Sequence, residues 1–490
     1  MKKFFKEKYF AVTFLILFIF ETISFITHEI SSIENIVFVM TSLLILYFIV
    51  RNIEYAIYIS FVELIVGSQG HLLDINIDGF DLSLRMMIFG ISFIAGLVYL
   101  LKNKSSLFRN KTTMISFVLF VAMILWGTVL ALIYKRPTQN IFFDLNGYLF
   151  IFILPIFYDI IINRIGLRKT FVILLTATIF FSMKTIIIFY IFSHHFAGLD
   201  LVTLYKWVRD LRIFEITRVN DNFYRIFSQS QIYSLISLSI TSIFIAYNKI
   251  KENKILFIAG VLNLIAIIIS FSRSYWVGLL VGAIIFLFWL IIKRIEFKKI
   301  FIMYLKFAFM FIFSILAIFA LTKIPYTSTK LNDLLSERLT QGEAASNSRL
   351  ELLPHMTDAI KKSPILGHGL SYEITYFSQD PRNKTDKNPD GFVTTYSFEW
   401  GWLSIWVKFG ILGLIAYLYI ILKILFDFVK LNLANKKMDE KYLLTLGLVI
   451  GLMTVCFTNI FSPYLDHPLG ISLIILIISI QDKLKWQKSA

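Results

Sequence analysis

Five ionisable side chains lie inside long apolar runs of this chain: Glu21, Glu63, Lys184, Lys306 and Lys408. Arg225, Arg273 and Glu399 stand at the edges of others. An ionised group at the centre of a membrane costs roughly 2.5–3.5 kcal/mol or more unless it is paired or wetted. Residues placed this way bind a charged substrate, relay protons, or neutralise one another across helices; for Lys306 and Lys408, snorkelling is the further alternative. Other chemistries find no support in the spacing. The histidines, His28, His71, His194, His195, His355, His368 and His467, are scattered, and the one adjacent pair lacks a metal-ligand interval. No phosphate-binding glycine loop, dinucleotide fingerprint or HExxH sequence occurs, and Ser-His-Asp catalysis has no spacing to rest on. The lone cysteine, Cys456, excludes a disulfide framework. Asn383-Lys384-Thr385 is a formal glycosylation sequon that reads as incidental.

The elements that must position these residues follow from composition. Of 490 residues, 57% are hydrophobic and 16% charged, with 50 phenylalanines. Soluble domains carry about 25% charged residues, and disordered chains are far less apolar, so both classes are excluded. A helix needs roughly 20 apolar residues to cross a membrane, and about fourteen runs approach that length. They cover 9–27, 34–50, 53–68, 84–101, 113–133, 145–162, 170–192, 228–247, 254–271, 275–292, 300–321, 402–427, 442–461 and 467–481. The first is long enough to span and lacks a small-residue cleavage site, which argues against a cleaved signal. The expected fold is all-α: a polytopic transmembrane helix bundle of about 12–14 spans with one large, partly helical extracytoplasmic loop. Its organisation reads as an N-terminal bundle over 1–321, the large loop over 322–396 and C-terminal helices over 397–490.

Charge sets the orientation. Alternate short connections carry Lys102, Lys104, Arg109 and Lys111, then Arg164, Arg168 and Lys169, then Lys249, Lys251 and Lys254, while the opposite ones hold Glu29, Asp74, Asp78, Asp81 and Asp466. The net charge of +16 is then mostly the positive-inside rule, so no nucleic-acid partner is expected and both termini fall on the cytoplasmic side. On this topology Glu21, Glu63 and Lys184 lie in the outer halves of their helices, which predicts a water-filled outward cavity. Two outer loops are long. In the first, Leu201, Leu204, Trp207, Val208, Leu211 and Phe214 recur at helical spacing, as for an amphipathic helix on the outer leaflet. In the second, Leu331, Leu334, Leu335 and Leu339 make one helical stripe, and Ser348-Arg349-Leu350-Glu351 fits a capping box opening a second helix. That helix is kinked by Pro354 and stops before Pro364; Gly367, Gly369 and the polar run 380–390 follow as loop.

Three segments carry a family likeness: Ser270-Phe271-Ser272-Arg273-Ser274; Asn347-Ser348-Arg349 through Pro364-Ile365-Leu366-Gly367-His368-Gly369; and Phe409-Gly410-Ile411-Leu412-Gly413. In order and spacing they resemble the bacterial O-antigen ligase and polymerase superfamily, and Arg225 to Gln231 adds a weaker match upstream. The resemblance covers roughly 225–425 and implies a GT-C-type membrane glycosyltransferase without metal or other cofactor. Such enzymes take a glycan from a polyprenyl (undecaprenyl) diphosphate carrier on the outer face of the bacterial cytoplasmic (inner) membrane. They pass it to a carrier-linked glycan, as polymerases, or to a lipid or protein acceptor, as ligases. A diphosphate leaving group needs cationic stabilisation, which Arg225, Arg273 and Arg349 would supply through their planar forks.

One position departs from the family pattern. Ligases have histidine eleven residues before the Gly-x-x-Gly start, where this chain has Glu399. A carboxylate can serve as general base if burial raises its pKa, and Phe398, Trp400 and Trp402 are the apolar neighbours that could do so. The substitution favours polymerase over ligase. His368 and Tyr396 are alternative groups beside it, with Lys184 and Glu63 as supporting residues. For Arg273 the competing reading is an anchor at a helix end, and for Glu399 a solvated charge at a helix start. A lipid-linked glycan flippase or other transporter is the rival from another class, although the two halves of the chain show no similarity to each other. A flippase or a chain-length regulator would be the natural partner protein, beside membrane lipid.

Overall fold

Within a membrane every backbone polar group must find its partner inside the segment, so apolar runs of this length fold as helices. Each of the fourteen predicted runs falls on a helix in the computed structural model, which describes residues 8–104, 106–194, 196, 199–220, 223–248, 254–323, 344–379, 390–433 and 439–489. The first six helices are α1 (Lys8–Thr27), α2 (Ser31–Arg51), α3 (Glu54–Val66), α4 (Leu84–Asn103), α5 (Lys111–Ile133) and α6 (Thr138–Asn146). A short 3-10 helix, Tyr148–Ile153, leads into α7 (Leu154–Asn163), α8 (Leu167–His194) and α9 (Leu201–Asp210). Next come α10 (Gln231–Tyr247), α11 (Lys254–Ile269), α12 (Arg273–Ile292), α13 (Phe297–Lys323) and α14 (Ala344–Lys362). The chain closes with α15 (Gly401–Leu433), α16 (Glu440–Thr458) and α17 (Pro468–Ser489). Among the described residues nine helices are long and apolar enough to cross a membrane, or ten if α6 and the bent helix after it count as one broken span. The chain is an all-α, multi-pass helix bundle.

Small residues decide how closely the helices pack. Gly278 and Gly282 of α12 sit against Thr454 and Thr458 of α16, and Gly447 of α16 sits against the backbone of Ile240 in α10. A bend of 50° at Gly147 separates α6 from the helix that follows. A side chain there would overlap the Asp466 carbonyl, so only glycine allows the approach.

Three two-stranded antiparallel hairpins were not predicted: β1 (Asp74–Ile77) with β2 (Phe80–Ser83), β3 (Glu215–Asn220) with β4 (Phe223–Phe227), and β5 (Ile374–Phe377) with β6 (Phe392–Thr395). Each is four to six residues per strand, too short for an alternating pattern to stand out beside the helical periodicity. The amphipathic helix forms as α9, but part of the face assigned to lipid is protein core. Trp207 and Val208 are buried, and the Trp207 indole donates to Ser24 Oγ of α1 at 3.1 Å. The Leu331–Leu339 stripe, the sequon at 383–385, residues 380–389, His195, Lys249 and Lys251 lie outside the described residues.

Most ionisable residues inside the bundle meet partners. Lys184 pairs with Glu21, and Arg85 pairs with Glu63 at 2.9 Å while donating to the Ser68 carbonyl at 2.7 Å. Lys306 donates to the carbonyls of Ile245, Ala246 and Asn248, the open C-terminal end of α10, at 2.9–3.0 Å. Lys408 pairs with Asp144. Helix-to-helix pairing, the alternative weighed for Glu21, Glu63 and Lys184, accounts for all three.

Candidate active site

The turn Ser270–Ser274 is where the first arginine is fixed. Helix α11 ends at Ile269, Phe271 turns the chain through φ +49°, and α12 begins at Arg273. Ser270 Oγ donates to the Ile267 carbonyl, and the Ser272 amide donates to Ser270 Oγ at 3.2 Å, which ties the turn to the end of α11. Arg273 is exposed as the first residue of α12. A cation at a helix N-terminus opposes the helix dipole, so helix stability does not explain it.

Arg225 comes from the β3–β4 hairpin, paired in register with Thr217. Phe223 and Ile226 are buried, which seats the hairpin, and the Phe223 ring packs on Phe271 at 4.9 Å. Arg225 Nε donates to the Ser270 carbonyl at 3.0 Å, and its guanidinium lies 4.9 Å from the Phe227 ring centroid. The hairpin and the Ser270–Ser274 turn therefore hold each other, with Arg225 and Arg273 on the joined surface.

Arg349 lies on α14. Burial, the charge of Arg225 and, more weakly, that of Arg273 hold its pKa below the ordinary arginine value, while Glu215 and Tyr464 act in the opposite sense. Its Nε is ion-paired with Glu399, and its carbonyl accepts from the Trp400 indole at 2.9 Å. Tyr464 and Tyr275 join hydroxyl to hydroxyl beneath this group, and both feel Arg225 and Glu215. Asn459 Oδ1 accepts from the amides of Tyr464 and Leu465 at 2.8 and 2.9 Å, fixing that loop. Three arginines and two carboxylates thus share one place, built from four separate parts of the chain.

The apolar shell expected around Glu399 does not enclose it. Its side chain is 49% exposed. Phe398 turns into the core, the Trp402 indole donates to the Cys456 carbonyl, and Trp400 packs on Phe461. Tyr396 is half-buried just after β6. His368 is engaged elsewhere: its Nε2 is 2.8 Å from the Ala359 carbonyl and its ring stacks on Tyr372 at 4.1 Å. Burial, with Arg136 and Lys362 nearby, holds its pKa below the usual imidazole value.

The two glycine motifs serve as a joint. Gly410 breaks α15 at φ +65°, ψ −161°, a conformation reserved for glycine, and a methyl there would overlap the Ile365 carbonyl. The break frees carbonyls of the preceding turn. The amides of His368 and Gly369 donate to Val407 and Lys408 at 2.8 Å, and Ile411 donates back to Pro364 at 2.9 Å. Arg136 adds bonds to the carbonyls of His368, Gly369 and Leu370. The joint fixes the C-terminal end of α14 against the first half of α15, and so sets Arg349 opposite Glu399.

Beside the cluster opens a cavity of about 1040 Å³. Ser397 and Phe398 line it on one side, Pro463 and Asp466 on another, and Asp144 and Lys408 at its base. Glu21, Glu63 and Lys184, from which an outward cavity was expected, do not line it, and of the Glu63–Arg85 pair only Arg85 reaches its wall. Glu215, Tyr275, Tyr464, Asp144 and Asp466 were not singled out as site residues from sequence. The signal available was modest: polar residues in the short Ser462–His467 turn between two apolar runs.

Among curated proteins, the chain is similar to an uncharacterised protein of Haemophilus influenzae, 27% identical over 241 residues. The match takes in 48% of this chain and spans 57% of the relative's length. Residues 258–418, the part of the chain that holds Arg273, Arg349 and Glu399, match the family model described as O-antigen ligase.

Proposed function

We propose that the protein is a cell-surface polysaccharide polymerase. It moves a glycan from an undecaprenyl diphosphate carrier to a carrier-linked glycan acceptor at the outer face of the cytoplasmic membrane, with both termini cytoplasmic and without a metal. The convergence of Arg225, Arg273 and Arg349 carries this reading. Three arginines stand beside two carboxylates there, and a diphosphate matches guanidinium forks in charge and geometry.

In the reaction the acceptor hydroxyl oxygen attacks the anomeric carbon from the face opposite the carrier. The bond from that carbon to the diphosphate oxygen breaks, and the configuration inverts. The arginines take up the charge that grows on the leaving diphosphate, and Glu399 takes the hydroxyl proton. Arg349 links the two events: a diphosphate competes with Glu399 for its fork, so donor arrival frees the carboxylate. Glu399 standing where ligases hold histidine favours the polymerase. The family description favours a second reading, a ligase that transfers to a lipid or protein acceptor.

Proteoliposomes supplied with undecaprenyl-diphosphate-linked glycan test both readings. Arg273→Ala should slow transfer by about 10²–10³-fold, as for loss of one transition-state donor, and Arg273→Lys should recover only part. Unchanged turnover in the alanine variant would reduce Arg273 to an anchor. A ladder of carrier-linked products marks a polymerase; a single transfer to an added acceptor marks a ligase.

A further inference from the structure

The 1040 Å³ cavity has a composition that diphosphate binding does not require. It lies at or above the upper end of the roughly 300–1,000 Å³ that small-molecule sites occupy. The lining is mixed: Gln139 and Asn146 offer amides, Asp81 and Asp466 carboxyl groups, and Arg85, Arg212 and Lys408 positive charge. Aromatic faces accompany them. Phe80, Phe142 and Phe143 line the cavity, with Phe142 set edge-on to Phe80 at 5.9 Å and to Phe143 at 5.8 Å, and Phe80 and Phe143 remain exposed.

Its base is prearranged. One Asp144 oxygen accepts from Lys408, and the other accepts from the Ser371 amide at 2.7 Å, so protein engages both oxygens. Asp466 lies beside the pair without an ion pair to Lys408, and it lines the cavity. Burial, with Asp144 beside it, pushes its pKa up to about 6 against the pull of Lys408.

The position relative to the arginines is direct. Ser397 and Phe398 in the wall immediately precede Glu399, and Pro463 immediately precedes Tyr464. Gln229 and Arg212 continue the wall into a second groove of about 370 Å³ that reaches Glu215 and Thr217, beside Arg225. Hydroxyl-rich, uncharged rings with one apolar face fit such a wall of amides, carboxyls and exposed phenyl rings.

We infer that this cavity is a glycan-binding subsite, in which Asp466 and the amides hold sugar hydroxyls and Phe142 stacks on a sugar ring. The inference rests on the reading of the substrate as a carrier-linked glycan. It adds the place where the sugars sit and assigns residues from the N-terminal half, α6 above all, to substrate recognition.

The test uses the full chain in lipid nanodiscs and two probes. One is the oligosaccharide released by mild acid from the cell's own carrier-linked glycan, and the other is undecaprenyl diphosphate without sugar. Asp466→Asn and Phe142→Ala should each weaken oligosaccharide binding by about tenfold while binding undecaprenyl diphosphate like the wild type; Arg225→Ala should do the reverse. Gln139→Ala, at an exposed position of α6, is the replacement should Asp466→Asn misfold. Competition between the oligosaccharide and intact carrier-linked glycan assigns the cavity to donor sugars, and simultaneous binding assigns it to the acceptor's. Wild-type oligosaccharide affinity in Asp466→Asn, Phe142→Ala and Gln139→Ala, or no oligosaccharide binding by the wild type, overturns the subsite. Loss of the carrier result alone, with sugar binding still sensitive to Phe142, overturns the diphosphate reading and leaves the subsite standing.

Discussion

Two regions of the molecule hold charges inside or at the edge of apolar helices and treat them in opposite ways. Between α1 and α8, and between α3 and α4, each cation meets one carboxylate: Lys184 with Glu21, Arg85 with Glu63. All four side chains are nearly buried, and each pair closes on itself. At the cluster around the Ser270–Ser274 turn three arginines meet Glu215 and Glu399, and protein bonds hold them in place: Arg225 on the Ser270 carbonyl, Arg273 at a helix start, Arg349 through the glycine joint. A buried pair settles a desolvation penalty. A set of like charges positioned by backbone adds to it, and an anionic ligand would offset it. Ionisable residues in a membrane therefore divide by whether the fold answers them or collects them.

The sharpest break in this comparison is at Glu399, the carboxylate paired with Arg349. Glu399→Gln keeps shape without basicity. It should lower transfer by about 10²–10⁴-fold while carrier-linked glycan still binds, measured by single-turnover transfer beside equilibrium binding. Near-normal turnover would move the base to another group.

A smaller effect tests the answered charges. Lys184→Met strands Glu21 in the core and should destabilise by about 3–5 kcal/mol, seen as a lower melting temperature and lower protein level. The double variant Glu21→Leu/Lys184→Met should recover most of that loss. Turnover per folded molecule should stay near wild type in both. A double variant that is stable but inactive would give the pair a catalytic role.

The smallest expected effect belongs to Asp466, which sits between the two classes, facing Asp144 and Lys408. Its folded pKa of about 6 is above the unfolded 3.8, so between those values the folded state binds more protons. Stability should therefore fall as pH rises through that window and level off above it, by about 3 kcal/mol at most. The melting-temperature drop from pH 4.5 to pH 7 should shrink by about 2 °C in Asp466→Asn. An equal drop in both proteins would show that Asp466 is not the group titrating.

Much of the bundle was legible because it is local. All fourteen apolar runs fold as helices, since saturating the backbone within one segment needs only that segment's residues. The capping box was misread, since α14 begins at Ala344 and Ser348 lies inside it, but the placement of Arg225 and Arg273 at the edges of such runs was legible. The hairpins were not, because four-residue strands carry too little period, and neither were Glu215, Asp144, Asp466 and Tyr464, which look like ordinary loop polar residues until the chain is folded.

Sequence alone determined where the helices form, which of their ends carry arginine, and that glycines stand at 367, 369 and 410. Tertiary structure decided which charges cancel and which converge. It mated the two glycine motifs into one joint, turned Phe398 and Trp402 away from Glu399, and brought α6 beside the Ser462–His467 turn to make a cavity. Helix formation is fixed by hydrogen bonds four residues apart, whereas a charge's partner is fixed by which helices lie side by side, and residues more than 160 positions apart in sequence, such as Glu21 and Lys184, meet only there.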